Sequence, residues 1–206
     1  MTDEKIILQG GGEHAKVVLD GLLGMKARVV ALFDPKYDGE LLGIRQRGEY
    51  DPLFEREAKA IVAIGNNLMR KKVVAFTKHA FTTFIHTTSI VSANCSIGEG
   101  SMIMQSATVQ VHARVGSHVI VNTGVRVDHD CVLSAYVHVA PGVVLCGRVK
   151  VGEGAMVGAG AVVLPGVSIG AWATVGAGAV VTKDVADGAV VVGNPARAIS
   201  NLKSEI

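Results

Sequence analysis

The chain has 206 residues, of which 49% are hydrophobic, 4% aromatic and 18% charged, with 25 glycines and a formal net charge of +2. This excludes intrinsic disorder, which needs low hydrophobicity and high charge, and the basic stripe of a nucleic-acid binder; few aromatics leave Val, Ile and Ala to supply the bulk of the core. With no positively charged leader at its start and no run of about 18 apolar residues, the chain is expected to be soluble and cytoplasmic, without a membrane partner.

Composition divides the chain near Ala80–Ile85. Residues 1–82 carry 13 Lys/Arg and 11 Asp/Glu, whereas the longer stretch 83–193 carries only 5 and 6. The first part reads as a small βαβαβ unit, an α/β Rossmann-like nucleotide-binding domain. Lys5–Gln9 is predicted as a strand ending in Gly10-Gly11-Gly12, and Ala15 to Leu23 as a helix. Arg28–Phe33 and Ala60–Ile64 are further strands, and Asn67–Lys78 a helix with Leu68, Val73, Val74 and Phe76 turned inward. Asp34–Arg56 reads as a long loop holding a short strand or turn. Gly10-Gly11-Gly12-Glu13-His14-Ala15 fits G-x-G-x-x-A between a strand and a helix, with Asp34 about 20 residues further on, as in dinucleotide sites. This part is only half of a doubly wound sheet, enough for one nucleotide. A tight βα turn without a ligand is the competing explanation of the glycines.

The second part is a repeat. From Ile85 to Val181 every sixth residue, seventeen in all, is Ile, Leu or Val without an insertion, the signature of a hexapeptide β-helix. The residue four places later is small or moderately apolar (Ser89, Cys95, Ser101, Ala107, Ala113, Val119 and on to Ala179) and is predicted to face inward. The residue just after the aliphatic one is Gly at 98, 116, 152, 158, 170 and 176, and Asn122 or Asp128 elsewhere. These types tolerate positive φ, which places the corner there. Cys95, Cys131 and Cys146 form no metal-like pair and read as reduced and structural; no metal is expected.

Polar clusters stand out on such a wall. The densest is Asn122-Thr-Gly-Val-Arg-Val-Asp-His-Asp-Cys131, followed by His138. Asp128 reads as a corner residue and His112 as an exposed one. His129 beside Asp130 reads as an acid–base pair: an imidazole with a pKa of about 6.5 removes a proton at pH 7, and a neighbouring carboxylate orients it and raises its basicity.

The repeat resembles that of the left-handed β-helix acyltransferases. This implies triangular coils of 18 residues, between five and six of them over 83–186. Residues 18 apart then stack at about 4.8 Å. Cys95 and Cys131 share an interior column about 9.6 Å apart, too far for a disulfide. His112, Asp130 and Arg148 share an outward column, so Asp130 is expected to feel a histidine below and an arginine above. Tyr136 and Trp172 share another and read as subunit contacts.

With the His-Asp cluster included, the chain resembles over essentially its full length the bacterial nucleotide-sugar acetyltransferases of the PglD/NeuD type. That resemblance implies a nucleotide-sugar-binding domain at 1–82, an acetyltransferase β-helix at 83–193 and a C-terminal tail at 194–206. It makes His129 the general base and Asp130 the acid that tunes it, Asp standing where N-acetylating members more often have Glu. It places Asn122 near the sugar amine, His138 at the thioester arm of acetyl-CoA, and Gly147 where its N–H meets the developing oxyanion. Ala159 and Ala177 fall along the pantetheine; Gly12, Glu13, His14, Asp34 and Gly65 fall around the nucleotide. Pro35 departs from a frequent second acid. Val192-Gly-Asn-Pro-Ala-Arg197 resembles a closing segment beside coenzyme A, where Lys183 and Arg197 meet either its phosphates or solvent. The implied activity is acetyl-CoA-dependent N-acetylation of the 4-amino group of a UDP-linked amino-deoxysugar, in a homotrimer with active sites between subunits. The alternatives are O-acetylation of a sialic acid or related sugar, and a non-catalytic scaffold that binds a nucleotide sugar.

Overall fold

The computed structural model describes residues 4–37 and 39–199; residues 200–206 of the expected tail lie outside the described residues. The N-terminal part contains β1 (Lys5–Gln9), α1 (Glu13–Gly24), β2 (Arg28–Phe33), β3 (Gly39–Leu41), β4 (Ile44–Arg47), β5 (Lys59–Val62) and α2 (Asn67–Phe76). They form a sheet of order β3-β4-β2-β1-β5, parallel except for the β3–β4 pair. The first βαβ crossover is as predicted. The second has no helix: the stretch read as a loop folds into the β3–β4 hairpin. Leu42 and Gly43 close it, both at positive φ (49° and 78°), as a two-residue hairpin turn requires. Leu-Gly lacks the Asn-Gly or Asp-Gly signature of such a turn, so the hairpin was silent in the sequence.

The second helix also departs from expectation. Leu68 and Phe76 of α2 are exposed, Val73 and Val74 are half-buried, and the residue it buries completely is Arg70. Its N-terminus is capped by Asn66, whose side chain accepts from the Met69 N–H at 2.9 Å, satisfying one of the orphan donors of the first turn.

From Phe84 onward the chain is a parallel β-helix of two-residue strands on three faces. Face 1 runs from Phe84–Ile85 through Ile120–Val121 and His138–Val139 to Val190–Val192. Face 2 runs from Ile90–Val91 to Val180–Val181, and face 3 from Ser96–Ile97 to Ser168–Ile169. Partners are always 18 residues apart up to Thr174–Val175; the last step on face 1 is 16. The interior is filled by the sixth-residue aliphatics and the small residues four places on, Ala107, Ala113, Val119, Cys131 and Ala179 among them. The Arg197–Ala198 strand folds back antiparallel on Val190–Val192 and closes the end of the solenoid.

The left-handed residue of each corner lies two places further on than predicted. Positive φ occurs three residues after the aliphatic, at Ser106, His112, His118, Gly124, Asp130, Tyr136, Gly142, Arg148, Gly154, Gly160 and Trp172, and not at Asn122, Asp128 or the glycines that follow the aliphatic directly. Those glycines answer a different constraint. A Cβ on Gly152 would stand 2.5 Å from the backbone nitrogen of Ala171 in the next coil, and one on Gly98 2.6 Å from the backbone of Gly116. They are small so that coils can stack.

Three corners result, each a column of residues 18 apart. Corner A follows face 1 (122–124, 140–142, 158–160, 176–178), corner B follows face 2 (128–130, 146–148), and corner C follows face 3 (134–136, 152–154, 170–172). Face 1 and corner C carry the N-terminal domain. Phe84, Met102, Met104 and Ile120 on the outside of face 1 share one apolar core with Ala15, Val18, Leu19 and Leu22 of α1. At corner C the His118 ring stacks on Tyr136, with centroids 5.5 Å apart, and meets Phe81 edge-on. Lys71 of α2 stands 5.6 Å from the Tyr136 ring and 5.4 Å from that of Trp172, within cation–π range. In the column expected to be a subunit contact, α2 thus reaches Tyr136, while Trp172 stays exposed.

Arg70 fastens this joint. Its Nε donates to the carbonyl of His118 (2.9 Å), and its terminal nitrogens donate to the carbonyls of Ile64 (2.9 Å) and Tyr136 (2.7 Å) and to the Asn67 side-chain oxygen (2.9 Å). Among the described residues no carboxylate joins it. Burial pulls its pKa down to about 9, so the charge persists at neutral pH and is met by carbonyl dipoles.

Two stability experiments follow from this packing. Gly152→Ala is expected to cost about 2–3 kcal/mol through overpacking between coils, whereas Gly160→Ala, with φ +67° but open space around it, costs only about 1 kcal/mol of left-handed strain. Equal urea midpoints for the two would show that coil spacing does not explain the first glycine. Arg70→Met leaves several buried carbonyls unpaired and is expected to lower unfolding free energy by about 3–5 kcal/mol; a urea midpoint within error of the parent would contradict the bolt.

Candidate active site

A cleft of about 410 Å³ opens where β1, β2 and β5 end, beside the N-terminus of α1, and five residues singled out in the sequence line it: Gly12, Glu13, His14, Asp34 and Gly65. This is where parallel α/β sheets bind ligands. The glycine run is dictated by close approach. Gly10 sits at φ +110°, and a Cβ there would meet the Ala63 carbonyl at 2.9 Å. Asp34 holds the loop by accepting from the Gly11 N–H (2.8 Å) and from the Lys36 N–H (2.9 Å). Gly12 occupies the N-cap without a side-chain bond, which leaves the first-turn N–H groups of α1 for an anion. Glu13 turns outward and pairs with Lys16 at 2.8 Å. Gln9, Lys36, Tyr37 and Tyr50 complete the lining. They were not singled out, Tyr37 and Tyr50 because they fall in the stretch whose hairpin the sequence did not reveal.

The edge of the cleft at His14 and Gly65 meets the joint, where the His14 and His138 rings stand 5.9 Å apart between centroids. His138 is buried on face 1; its Nδ1 is 3.0 Å from the Gly65 carbonyl and its Nε2 is 3.1 Å from Nδ2 of Asn122 at corner A. A carbonyl can only accept, so Nδ1 carries the proton and Nε2 accepts from the Asn122 amide. Burial, then the nearby Arg70 charge, push the His138 pKa down to about 4 and that ring stays neutral. His14 is pushed to about 3 by burial, His138 and Arg70 in that order. Its Nε2 is buried without a hydrogen-bond partner among the described residues. Both nitrogens of His138 are therefore engaged within the chain.

Corner B holds the second cluster. Nδ1 of His129 lies 2.7 Å from Oδ2 of Asp130, and both side chains are roughly half exposed. The hydrogen bond to His129 holds the Asp130 carboxyl below its usual range, with the His129 and His112 charges adding to it. Nδ1–H of His129 is thereby fixed toward the carboxylate and Nε2 is free to take a proton. The ring lies over Gly147 of the next coil, where a Cβ would stand 2.5 Å from Nε2. Asp128 accepts the His129 backbone N–H at 2.7 Å. The expected stack is half realised: His112 approaches Asp130 at 3.5 Å, whereas Arg148 forms no ion pair with it among the described residues. Cys131 faces the interior, fully buried, with its thiol donating to the Cys146 carbonyl at 3.2 Å and burial pushing its pKa up to about 11.

Asn122 and His129 do not meet within the chain. They occupy successive corners of one coil, with the Arg126–Val127 strand between them. Ala159 and Ala177 lie exposed at corner A beside Gly160 and Gly178, where an added Cβ would meet nothing within 4 Å. That edge of the solenoid is bare backbone. Lys183 and Arg197 are exposed. Among the described residues no helix is long and apolar enough to cross a membrane.

Residues 5–75 match the PglD N-terminal domain, and residues 148–183 match the bacterial transferase hexapeptide with six repeats. The chain is 37% identical over 101 residues to a GDP-perosamine N-acetyltransferase of Escherichia coli O157:H7, and 37% identical over 116 residues to a UDP-N-acetylbacillosamine N-acetyltransferase of Bacillus subtilis (strain 168). These matches cover 48% and 49% of this chain and span about half the length of each relative, 46% and 51%. Among solved structures, a histidine-to-asparagine variant of perosamine N-acetyltransferase from Caulobacter crescentus, in complex with CoA and GDP-perosamine, superposes with a TM-score of 0.93 at 35% identity, covering 97% of this chain and 99% of that one. With both halves of the architecture matched and that likeness running almost end to end, the chain belongs to the PglD/NeuD-type nucleotide-sugar acetyltransferases.

Proposed function

We propose that the protein is an acetyl-CoA-dependent N-acetyltransferase acting on the 4-amino group of a nucleotide-linked amino-deoxysugar, with His129 as general base. The observation that carries this reading is the pair at corner B. Nδ1 of His129 is held by Asp130 at 2.7 Å while Nε2 is left open beside Gly147, on a chain whose relatives are named as N-acetyltransferases of GDP- and UDP-linked sugars. The nucleoside diphosphate sits in the N-terminal cleft with its phosphates toward the first turn of α1. The carrier is taken as UDP, with GDP as its competitor.

The sugar amine attacks the thioester carbonyl carbon directly. His129 Nε2 takes the amine proton, an N–C bond forms, the C–S bond breaks, and the proton passes to the departing CoA sulfur. Asp130 stabilises the imidazolium in between. The N–H of Gly147, which donates to no group among the described residues, is available to the developing oxyanion. The bare edge at corner A, with Ala159 and Ala177, suits an extended pantetheine arm. His138 serves this arrangement by orienting Asn122, since a polar contact from its ring to the acyl group would break a bond it already makes. The buried Cys131 thiol takes no part, because a thiol of raised pKa is a poor nucleophile.

Because Gly65 at the edge of the cleft is linked by hydrogen bonds through His138 to Asn122 at corner A, while the proposed base stands at corner B, we infer that a complete site needs corner B of a second copy. A closed trimer about a threefold axis parallel to the solenoid supplies it.

The deciding assay is thiol release from acetyl-CoA with UDP-, GDP- and dTDP-linked 4-amino-sugars. His129→Ala is expected to lose about 10²–10⁴-fold in kcat and Cys131→Ser to keep most activity; the opposite pattern would overturn direct transfer. Release with sialic acids but with no amino-sugar would replace N- by O-acetylation, and nucleotide-sugar binding with no release at all would leave a scaffold. Subunit sharing has its own test. Asn122→Ala and His129→Ala proteins, each impaired alone, should on co-assembly regain about a quarter of the parental sites by random mixing in a cyclic trimer. No recovery in verified mixed trimers would place both residues in one subunit's site.

A further inference from the structure

The carboxylate that holds His129 is shared. Oδ2 of Asp130 takes Nδ1 of His129 at 2.7 Å, and Oδ1 of the same group lies 3.5 Å from Nδ1 of His112, one coil below. His112 and Asp130 both hold the left-handed corner conformation, with φ of 60° and 59°, as do Arg148 at the same corner and Ser106, His118, Tyr136 and Trp172 at the others; this shared conformation stacks the two side chains one coil apart in a single column. The other charged groups of the corner are engaged elsewhere or out of reach. Asp128 is bound to the His129 backbone N–H, Arg148 in the coil above makes no ion pair with Asp130 among the described residues, and Arg114 and Arg126 project from the adjoining strands into solvent.

We propose that His112 is a positioning residue that sets the basicity of His129 through Asp130. The proposal rests on the reading of His129 as the base. A carboxylate raises the proton affinity of an imidazole by stabilising the imidazolium. His112 draws on the same negative charge from 3.5 Å, as a cation when protonated and through its imidazole dipole when neutral. It therefore opposes part of the pull that the carboxylate exerts on the His129 proton. Standing beside Oδ1, it also favours the orientation in which the short Asp130 side chain presents Oδ2 to His129.

The sign follows directly. Removing His112 returns the full carboxylate charge to His129, so the His129 pKa rises and the acid limb of kcat/KM moves to higher pH. His112→Gly is the informative variant, because glycine suits the left-handed corner and the side chain lost is mostly in solvent. His112→Asn is its conservative partner, since the amide nitrogen can stand where Nδ1 stood. NMR titration of the His129 imidazole should show its pKa about half a unit higher in His112→Gly and near the parental value in His112→Asn. The acid limb of kcat/KM should move by the same amount, with kcat at pH 6.5 down about two- to threefold and KM for the sugar unchanged. An unmoved His129 titration in folded His112→Gly protein, with His129→Ala inactive, would overturn this role while leaving the base in place. Undiminished activity of His129→Ala would overturn the base and this role with it.

Discussion

A coil of eighteen residues, repeated without slippage, is the constraint from which the rest of the structure follows. Each strand bonds only to the coil above and below, as in Ile120 N–H to the Val137 carbonyl at 2.9 Å and His138 N–H to the Ala155 carbonyl at 3.0 Å. A one-residue insertion would turn every later side chain from the interior to the outside. Because the register holds, a residue's place in the hexapeptide fixes both whether it is buried and which corner it occupies. Chemistry is therefore laid out in columns: corner A is stripped to backbone, corner B carries His112, Asp130 and Arg148, and corner C carries the rings of His118, Tyr136 and Trp172.

The cleft proposed for the nucleotide lies in the N-terminal domain, and the proposed base lies on the solenoid. Arg70 makes the two one body. Its partners come from the loop after β5, from α2 and from two coils of the solenoid, so the cleft wall at Gly65 and the coil bearing His138 cannot shift independently. Carbonyl dipoles in place of a carboxylate carry a consequence. Burial first, and then the positive charge of Arg70, depress the pKa values of His14, His118 and His138 around it, with His138 acting ahead of Arg70 on His14. Those rings remain neutral; His138 has its tautomer fixed by the Gly65 carbonyl, and the amide of Asn122 inherits its orientation from it.

The solenoid was legible because one physical rule, aliphatic inside at every sixth residue, repeats seventeen times; the strands β1 and β2 were legible for the same reason on a smaller scale. What escaped was whatever depends on a single contact. The left-handed residue of the corner was misplaced because glycine answers two demands, positive φ at positions such as Gly160 and close backbone approach at positions such as Gly152, and composition does not separate them. Arg70 escaped because an arginine in a helix reads as surface, and only its six carbonyl and amide oxygens make burial tolerable. Tyr136 and Trp172 do form an outward column, in which α2 reaches the rings through Lys71 while Trp172 stays exposed. Of the candidate site, the cleft residues and the His129–Asp130 pair form two separate groups, as their places in two domains imply, whereas Asn122 and His129, close in the chain, fall at different corners.

That separation is itself informative. Asn122 and His129 are close neighbours in sequence, yet the stiff strand Arg126–Val127 carries them to different corners, and the fixed coil length forbids bringing them nearer by any local rearrangement. A chain that kept its register could bring a cleft-bound sugar and a corner-B base together only by moving the nucleotide domain, which Arg70 and the shared apolar core against face 1 prevent. The same rigidity that fixes the base beside Gly147 thus makes a single subunit insufficient for the proposed reaction. The proposed assembly around a threefold axis would resolve the conflict without new loops, by setting corner A of one prism beside corner B of the next. On this view, catalysis and oligomerisation are not separate properties of the fold but two consequences of one register.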